Sequence, residues 1–317
     1  MAQTIDQADP KFITSLKTNI SGIYFQQVAQ YTVPLIEKEF RKAVGDPALI
    51  DNEEFMRNLF FLVRKREVKN LHDDVWRLVS AKGLKPKAQV SALKTLFALG
   101  GENDRAAVDS MVADALAELI QSGRPPESSP YFDAADRVGG VKTLIALKRM
   151  FSDAAERQRV AEQKSPDNHA FISQLDKVRA TLDKKVFTLS RKQQILAKPD
   201  ADLTADLARL YLRRSVDLSC WAYRELTHSA SPASRATVQT VVATELPSFL
   251  PASGIAPDAR EKSESDLRLR GIALLQKMGA PLSDEENALL RENFELMRSR
   301  EPFFYPACDW EDILDRL

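Results

Sequence analysis

Apolar residues recur along most of this chain at steps of three and four, the period of an α-helix with one buried stripe, and no stretch shows the strict alternation of a half-buried strand. The densest run lies between Asp202 and His228. Leu203, Leu207, Leu210, Tyr211, Leu218 and Trp221 share one face, with Leu212, Val216, Tyr223 and Leu226 nearly opposite. Only Asp206, Arg213, Asp217 and Arg224 form a clear polar strip. A circumference so nearly apolar predicts one buried helix over the whole span.

Punctuation by proline and glycine divides the rest. Asp9-Pro10 opens a helix that runs toward Tyr31, and Pro34 opens a shorter one that Gly45 ends. Asp46-Pro47 begins a unit whose Phe55, Met56, Leu59, Phe60 and Val63 form a broad apolar face. Leu71 to Val79 predicts a second helix, stopped by Gly83, and Lys85-Pro86 a third, ending at Gly100-Gly101. The cleanest stripe follows, with Val108, Met111, Val112, Ala115, Leu119 and Ile120 inward and Asp109, Asp114 and Glu118 outward. Ser129-Pro130 starts a short helix, and Gly139-Gly140 leads into another with Val141, Leu144, Ile145 and Phe151. From Ser165-Pro166 the stripe Phe171, Leu175, Val178, Leu182, Val186 and Leu189 continues to about Leu196. The short turn at Lys198–Ala201 then predicts a long antiparallel hairpin over about 166–228. Ser231-Pro232 starts a further helix, 247–265 has no periodicity and predicts a loop, and Leu267 to Met278 predicts a helix closed by Gly279. Ser283 and Glu286 have capping-box spacing for a last helix through Met297.

These elements imply an all-α fold. Gln121–Pro130, rich in proline and serine, is the strongest candidate linker, and it predicts an N-terminal helical domain over 1–123 and a C-terminal one over 130–317. Helix-opening prolines at 10, 47, 86, 130, 166, 199 and 232 are evenly spaced. That spacing leaves an α-solenoid-like stack and an irregular helical bundle both open, since no repeat consensus accompanies it.

Composition agrees with the helical reading: only 11 glycines in 317 residues, and 45 basic against 45 acidic side chains for a net charge of +0. The balance argues against a dedicated nucleic-acid or membrane-surface protein, but charge is distributed in blocks. Arg57–Lys94 carries a net +7 and Lys177–Lys198 a net +6, while 284–317 carries a net −6. Two cysteines, Cys220 and Cys308, make no disulfide framework, and neither a secretory leader nor a membrane-spanning run is visible. The expectation is a cytoplasmic protein.

Candidate chemistry is sparse. His72-Asp73 has the doublet of certain metal-dependent phosphohydrolases but no preceding histidine to complete it, and Glu225-x-x-His228 has di-iron spacing without a second pair. No phosphate-binding glycine loop or nucleophile motif occurs, so no catalytic residue, metal ligand or cofactor is assigned. Arg214 and Glu225 fall on the apolar face of the 202–228 helix, which implies either an ion pair across the core or a polar pocket. Lys184, Lys185, Arg191 and Lys192 are the candidate basic contacts. In the acidic terminus, Phe303, Phe304, Trp310 and Leu314 would dock on the protein's own core or in a partner's groove. Helical adaptor or scaffold, acting through protein–protein contact and without enzymatic activity, is the leading expectation. Nucleic-acid binding by the basic surfaces at 57–94 and 177–198 is the alternative.

Overall fold

A computed structural model describes residues 32–81, 83–122, 124–213, 218–250 and 257–299. These residues contain fourteen α-helices and no strand, as the periodicity requires. None of their helices is long and apolar enough to cross a membrane. The chain divides into two compact units, residues 1–190 and 191–317.

In the first unit, α1 (Val33–Val44), α2 (Pro47–Ile50) and α3 (Glu53–Lys65) are followed by α4 (His72–Ser80), α5 (Pro86–Leu99) and α6 (Glu102–Ser122). Then come α7 (Pro130–Val138), α8 (Val141–Lys164) and α9 (His169–Leu196), whose last residues from Arg191 onward count with the second unit. The starts at Val33, Pro86 and Pro130 have proline in the first turn, where its missing N–H costs nothing, while α2 and α3 have side-chain acceptors for the free amides of their first turns. Asp46 Oδ1 accepts from Ala48 N–H at 2.9 Å, and Asn52 Oδ1 from Phe55 N–H at 3.0 Å. The broad apolar face of α3 packs on α5, with Phe55, Met56, Leu59 and Phe60 almost fully buried. Each such side chain contributes about 1.5–3 kcal/mol on burial. Phe40 of α1 meets Phe60 edge to face, with centroids 5.8 Å apart.

One core runs through this unit without interruption, from Ile36 through Leu119, Phe132 and Leu147 to Leu189. The expected boundary between 123 and 130 therefore lies inside a single core, because α7 and α8 return onto α5 and α6. Within that stretch Pro126–Ser128 forms a tight 3₁₀ turn with Pro125 just before it, and Pro130 opens α7, instead of a free linker.

The second unit holds α10 (Asp200–Leu212), α11 (Ser219–His228), α12 (Pro232–Glu245), α13 (Pro257–Lys277) and α14 (Asp284–Ser299). The single helix expected over 202–228 is a correction: it is two helices packed on each other. The rings of Tyr211 and Tyr223 lie 5.4 Å apart, whereas twelve residues of continuous helix would separate them by about 18 Å. Folding back lets two opposed apolar faces be buried in a short span, and Ser219 Oγ donates to the carbonyl of Tyr211 at 3.2 Å. Of α9, only Ile195 belongs to this unit's core, so the second arm of the expected 166–228 hairpin is a bent pair of helices. The expected loop over 247–265 is a second correction, because α13 begins at Pro257. Good helix formers with no apolar stripe fill its first turns, so propensity decides there and periodicity is silent. Gly279, at φ +75°, closes α13, and its carbonyl accepts from Arg235 Nη1 at 2.8 Å.

Candidate functional site

Three polar or concave features of the described residues merit comparison, beginning with the hinge between α6 and α8. Asp109 of α6 is only 8% exposed and accepts three backbone N–H groups: Gly140 at 2.6 Å, Thr143 at 2.9 Å and Lys142 at 3.0 Å. A carboxylate on the first amides of α8 complements that helix's positive end. A Cβ on Gly140 would fall 2.8 Å from Asp109 Oδ2, so glycine is required for this approach. The arrangement fixes where α8 begins and thus what its far half faces.

That far half lines a cleft. Met150, Asp153, Ala154 and Arg157 of α8 face Phe171, Gln174, Leu175 and Val178 of α9, both rows at helical spacing. Leu119 and Ile120, at the end of α6, close the floor, while Pro125 and Pro126 form a wall. The cavity is about 180 Å³ and predominantly apolar, and Arg124, Asp153 and Arg157 lie along its rim. Gln158 Nε2, donating to Asp176 Oδ1 at 2.7 Å and to Glu162 Oε1 at 2.8 Å, ties the two helices together beside it. The wall is shaped by Ser128 Oγ donating to the Pro125 carbonyl at 2.6 Å and Arg124 Nε donating to Ser122 Oγ at 3.1 Å. Asn168 caps α9 by accepting from Phe171 N–H at 3.3 Å, which sets the ring at the mouth. Phe171 is 47% exposed, an aromatic ring only half covered by its own protein. Among the described residues neither Asp153 nor Arg157 forms an ion pair.

The third feature is the hollow around His72. Its Nδ1 lies 2.9 Å from Asp73 Oδ1 and its Nε2 3.2 Å from Asp104 Oδ1, with Lys69, Asn70 and Gly100 completing the lining. Burial pushes the Asp104 carboxyl up, but Trp76 Nε1–H at 2.6 Å, Gly101 N–H at 2.9 Å and the facing His72 outweigh it and leave it below its usual value. Asp104 reaching back to Gly101 is a helix-start device. Among the described residues no group of three or more histidines, cysteines, aspartates or glutamates is placed to hold a metal ion.

Of the residues singled out from sequence, Lys184, Lys185, Arg191, Lys192 and Glu225 are among the described ones. Lys185 is turned inward: it pairs with Asp136 at 2.6 Å, donates to the Asp133 carbonyl at 3.2 Å and lies over Phe132 at 5.1 Å. Lys192 is 5% exposed and sits 5.6 Å above the ring of Trp221. Lys184 and Arg191 are on the exposed side of α9. Seven residues separate the members of each pair, so one pair faces in and the other out. In the 57–94 block, Arg57 pairs with Glu54, Arg77 with Asp74 and Lys85 with Asp51. Glu225 is 8% exposed and has a hydrogen-bonding or electrostatic partner. Arg214, Phe303, Phe304, Trp310 and Leu314 lie outside the described residues.

Sequence reasoning missed the cleft. Phe171, Leu175 and Val178 read as a core stripe and the prolines at 125 and 126 as linker. The available signal was apolar residues at helical spacing on both sides of the Ser165–Asn168 turn, Met150 and Ala154 before it and Phe171, Leu175 and Val178 after it. No protein-family model, no curated protein and no solved structure matches the chain.

Proposed function

We propose that this protein is a cytoplasmic helical adaptor, without enzymatic activity of its own, that binds another protein through the cleft between α6, α8 and α9. The observation that carries this reading is a concave apolar surface with a half-exposed phenylalanine at its mouth and charged side chains confined to its edge. That is the arrangement of a protein-binding hot spot: an apolar centre that excludes water, ringed by polar groups that set orientation. Part of the basic charge is taken up inside the fold, with Lys192 buried and Arg57 and Lys185 paired to carboxylates at partly buried positions, which leaves a nucleic-acid surface less support, since counterion release needs cations facing outward.

The test is site-specific photo-cross-linking in the native cell with a benzophenone amino acid at position 171. Position 187 is the control, because Phe187 is 70% exposed on the same helix but outside the cleft. Discrete protein adducts at 171 that are absent at 187 are expected. Identical adduct patterns at the two positions, or none at 171, would overturn the reading.

A further inference from the structure

The shape and chemistry of the cleft narrow what it can hold. Its two long walls are helix faces, Met150/Ala154/Arg157 and Phe171/Leu175/Val178, each running over seven residue steps or about 10 Å. Two such rows leave a furrow that matches the ridge of a third helix. An extended peptide fits worse. Its backbone N–H and C=O groups would meet mostly apolar side chains, and the described residues have no strand edge to pair with. A helix satisfies its own backbone and presents side chains at i, i+3, i+4 and i+7.

Size and charge add two constraints. An apolar cavity of about 150 Å³ accommodates a benzene ring, so the 180 Å³ here suits one aromatic or branched aliphatic side chain. On the rim two guanidinium groups, Arg124 and Arg157, outnumber the one carboxylate, Asp153. Arg157 has no ion-pair partner among the described residues, so it can take a carboxylate in a two-pronged contact. A polyanion is poorly matched, since two cations flank an apolar floor.

We propose that the cleft takes a short amphipathic helix of a protein partner, with one bulky apolar residue seated in the cavity and acidic residues beside it meeting Arg157 and Arg124. This rests on the docking role proposed above and specifies its ligand. The partner helix needs about two turns, with apolar residues along one edge and Asp or Glu at its margins. On its own so short a helix is marginal in water, so it orders on binding.

Selection of a phage library of helix-forming peptides on the immobilised full-length chain tests this. Enriched peptides should carry apolar residues at i, i+3 or i+4 and i+7, flanked by Asp or Glu. The most enriched, made synthetically and labelled, should bind about tenfold or more weakly to Phe171→Ala and to Arg157→Glu. Replacing its acidic residues by lysine should restore binding to Arg157→Glu. Both substitutions are at half-exposed or exposed positions, and unchanged circular dichroism verifies the fold. Enriched peptides indifferent to both substitutions would overturn the proposal, as would enrichment of basic or proline-rich sequences. No enrichment, with cross-links at position 171 still forming, would remove the helix and leave the docking role standing. Loss of both would remove both.

Discussion

Replacing Asp109 by alanine probes the joint on which the cleft depends. Three backbone amides lose their acceptor at once, and among these Thr143 is fully buried. Loss of a helix cap costs about 0.5–2 kcal/mol, and leaving a buried N–H without a partner costs about 1–3 kcal/mol. Gly140 and Lys142 are nearer the surface and recover part of their loss from water. The expected destabilisation is therefore about 3 kcal/mol, against a typical total of about 5–15 kcal/mol. For a unit of this size that lowers Tm by roughly 6–12 °C. Asp109→Asn keeps one acceptor oxygen and should lose about half as much. The assay is thermal melting by circular dichroism together with amide hydrogen exchange, which should speed up first at Thr143 and Leu144 and leave the second unit unchanged. If Asp109→Ala melts within about 1 °C of the parent, water replaces the carboxylate without cost, and the argument that this residue positions α8 fails.

Other consequences are open to measurement. Gly271→Ala should destabilise by about 1–3 kcal/mol in urea unfolding, because the added Cβ would lie 2.7 Å from a Val242 methyl, outweighing the gain in helix propensity. Lys185→Met should cost about 1–2 kcal/mol by melting, since it strips Asp136 of its partner. The substitution should leave cleft binding intact. Acid should weaken the second unit. Its Glu245 carboxylate is held low by the two-pronged contact with Arg209, at 2.7 and 2.8 Å. Asp206 is pushed up by burial but pulled lower overall by Lys198 and Arg209. Carboxyls depressed in the folded state contribute stability in full above their unfolded value, about pH 4, and lose it as pH falls through the folded one. Melting temperature should therefore drop below about pH 4, and Glu245→Gln should flatten that drop.

Much of the fold was legible because helix ends are written locally. Asp46, Asn52 and the Ser283/Glu286 pair occupy capping positions and make the capping bonds, with Glu286 N–H donating to Ser283 Oγ at 3.2 Å. Asp109 read as a solvent-facing residue of α6, whereas it is the cap of a helix thirty-one residues on, a partnership no local pattern encodes. The fold-back between Tyr211 and Ser219 was hidden because a span apolar on both sides has the same composition as one buried helix or two that bury each other. Lysine misled in the same way: its long stem reaches across to Asp136 or lies over Trp221, so a basic block on paper is partly interior in the folded chain. The cleft is a product of how α8 and α9 sit beside the end of α6. Its apolar rows cannot be told from core rows until it is seen that no helix among the described residues covers them.

The most direct measurement is the methyl NMR spectrum of the full-length chain, labelled at methionine and titrated with the most enriched acidic helical peptide. Met150 lies on the cleft wall, while Met56 is buried in the core of the same unit and does not line the cleft. The account predicts a saturable shift of the Met150 methyl, with the Kd measured by fluorescence, and no movement of the buried Met56. A peptide that binds while Met150 stays still would contradict it.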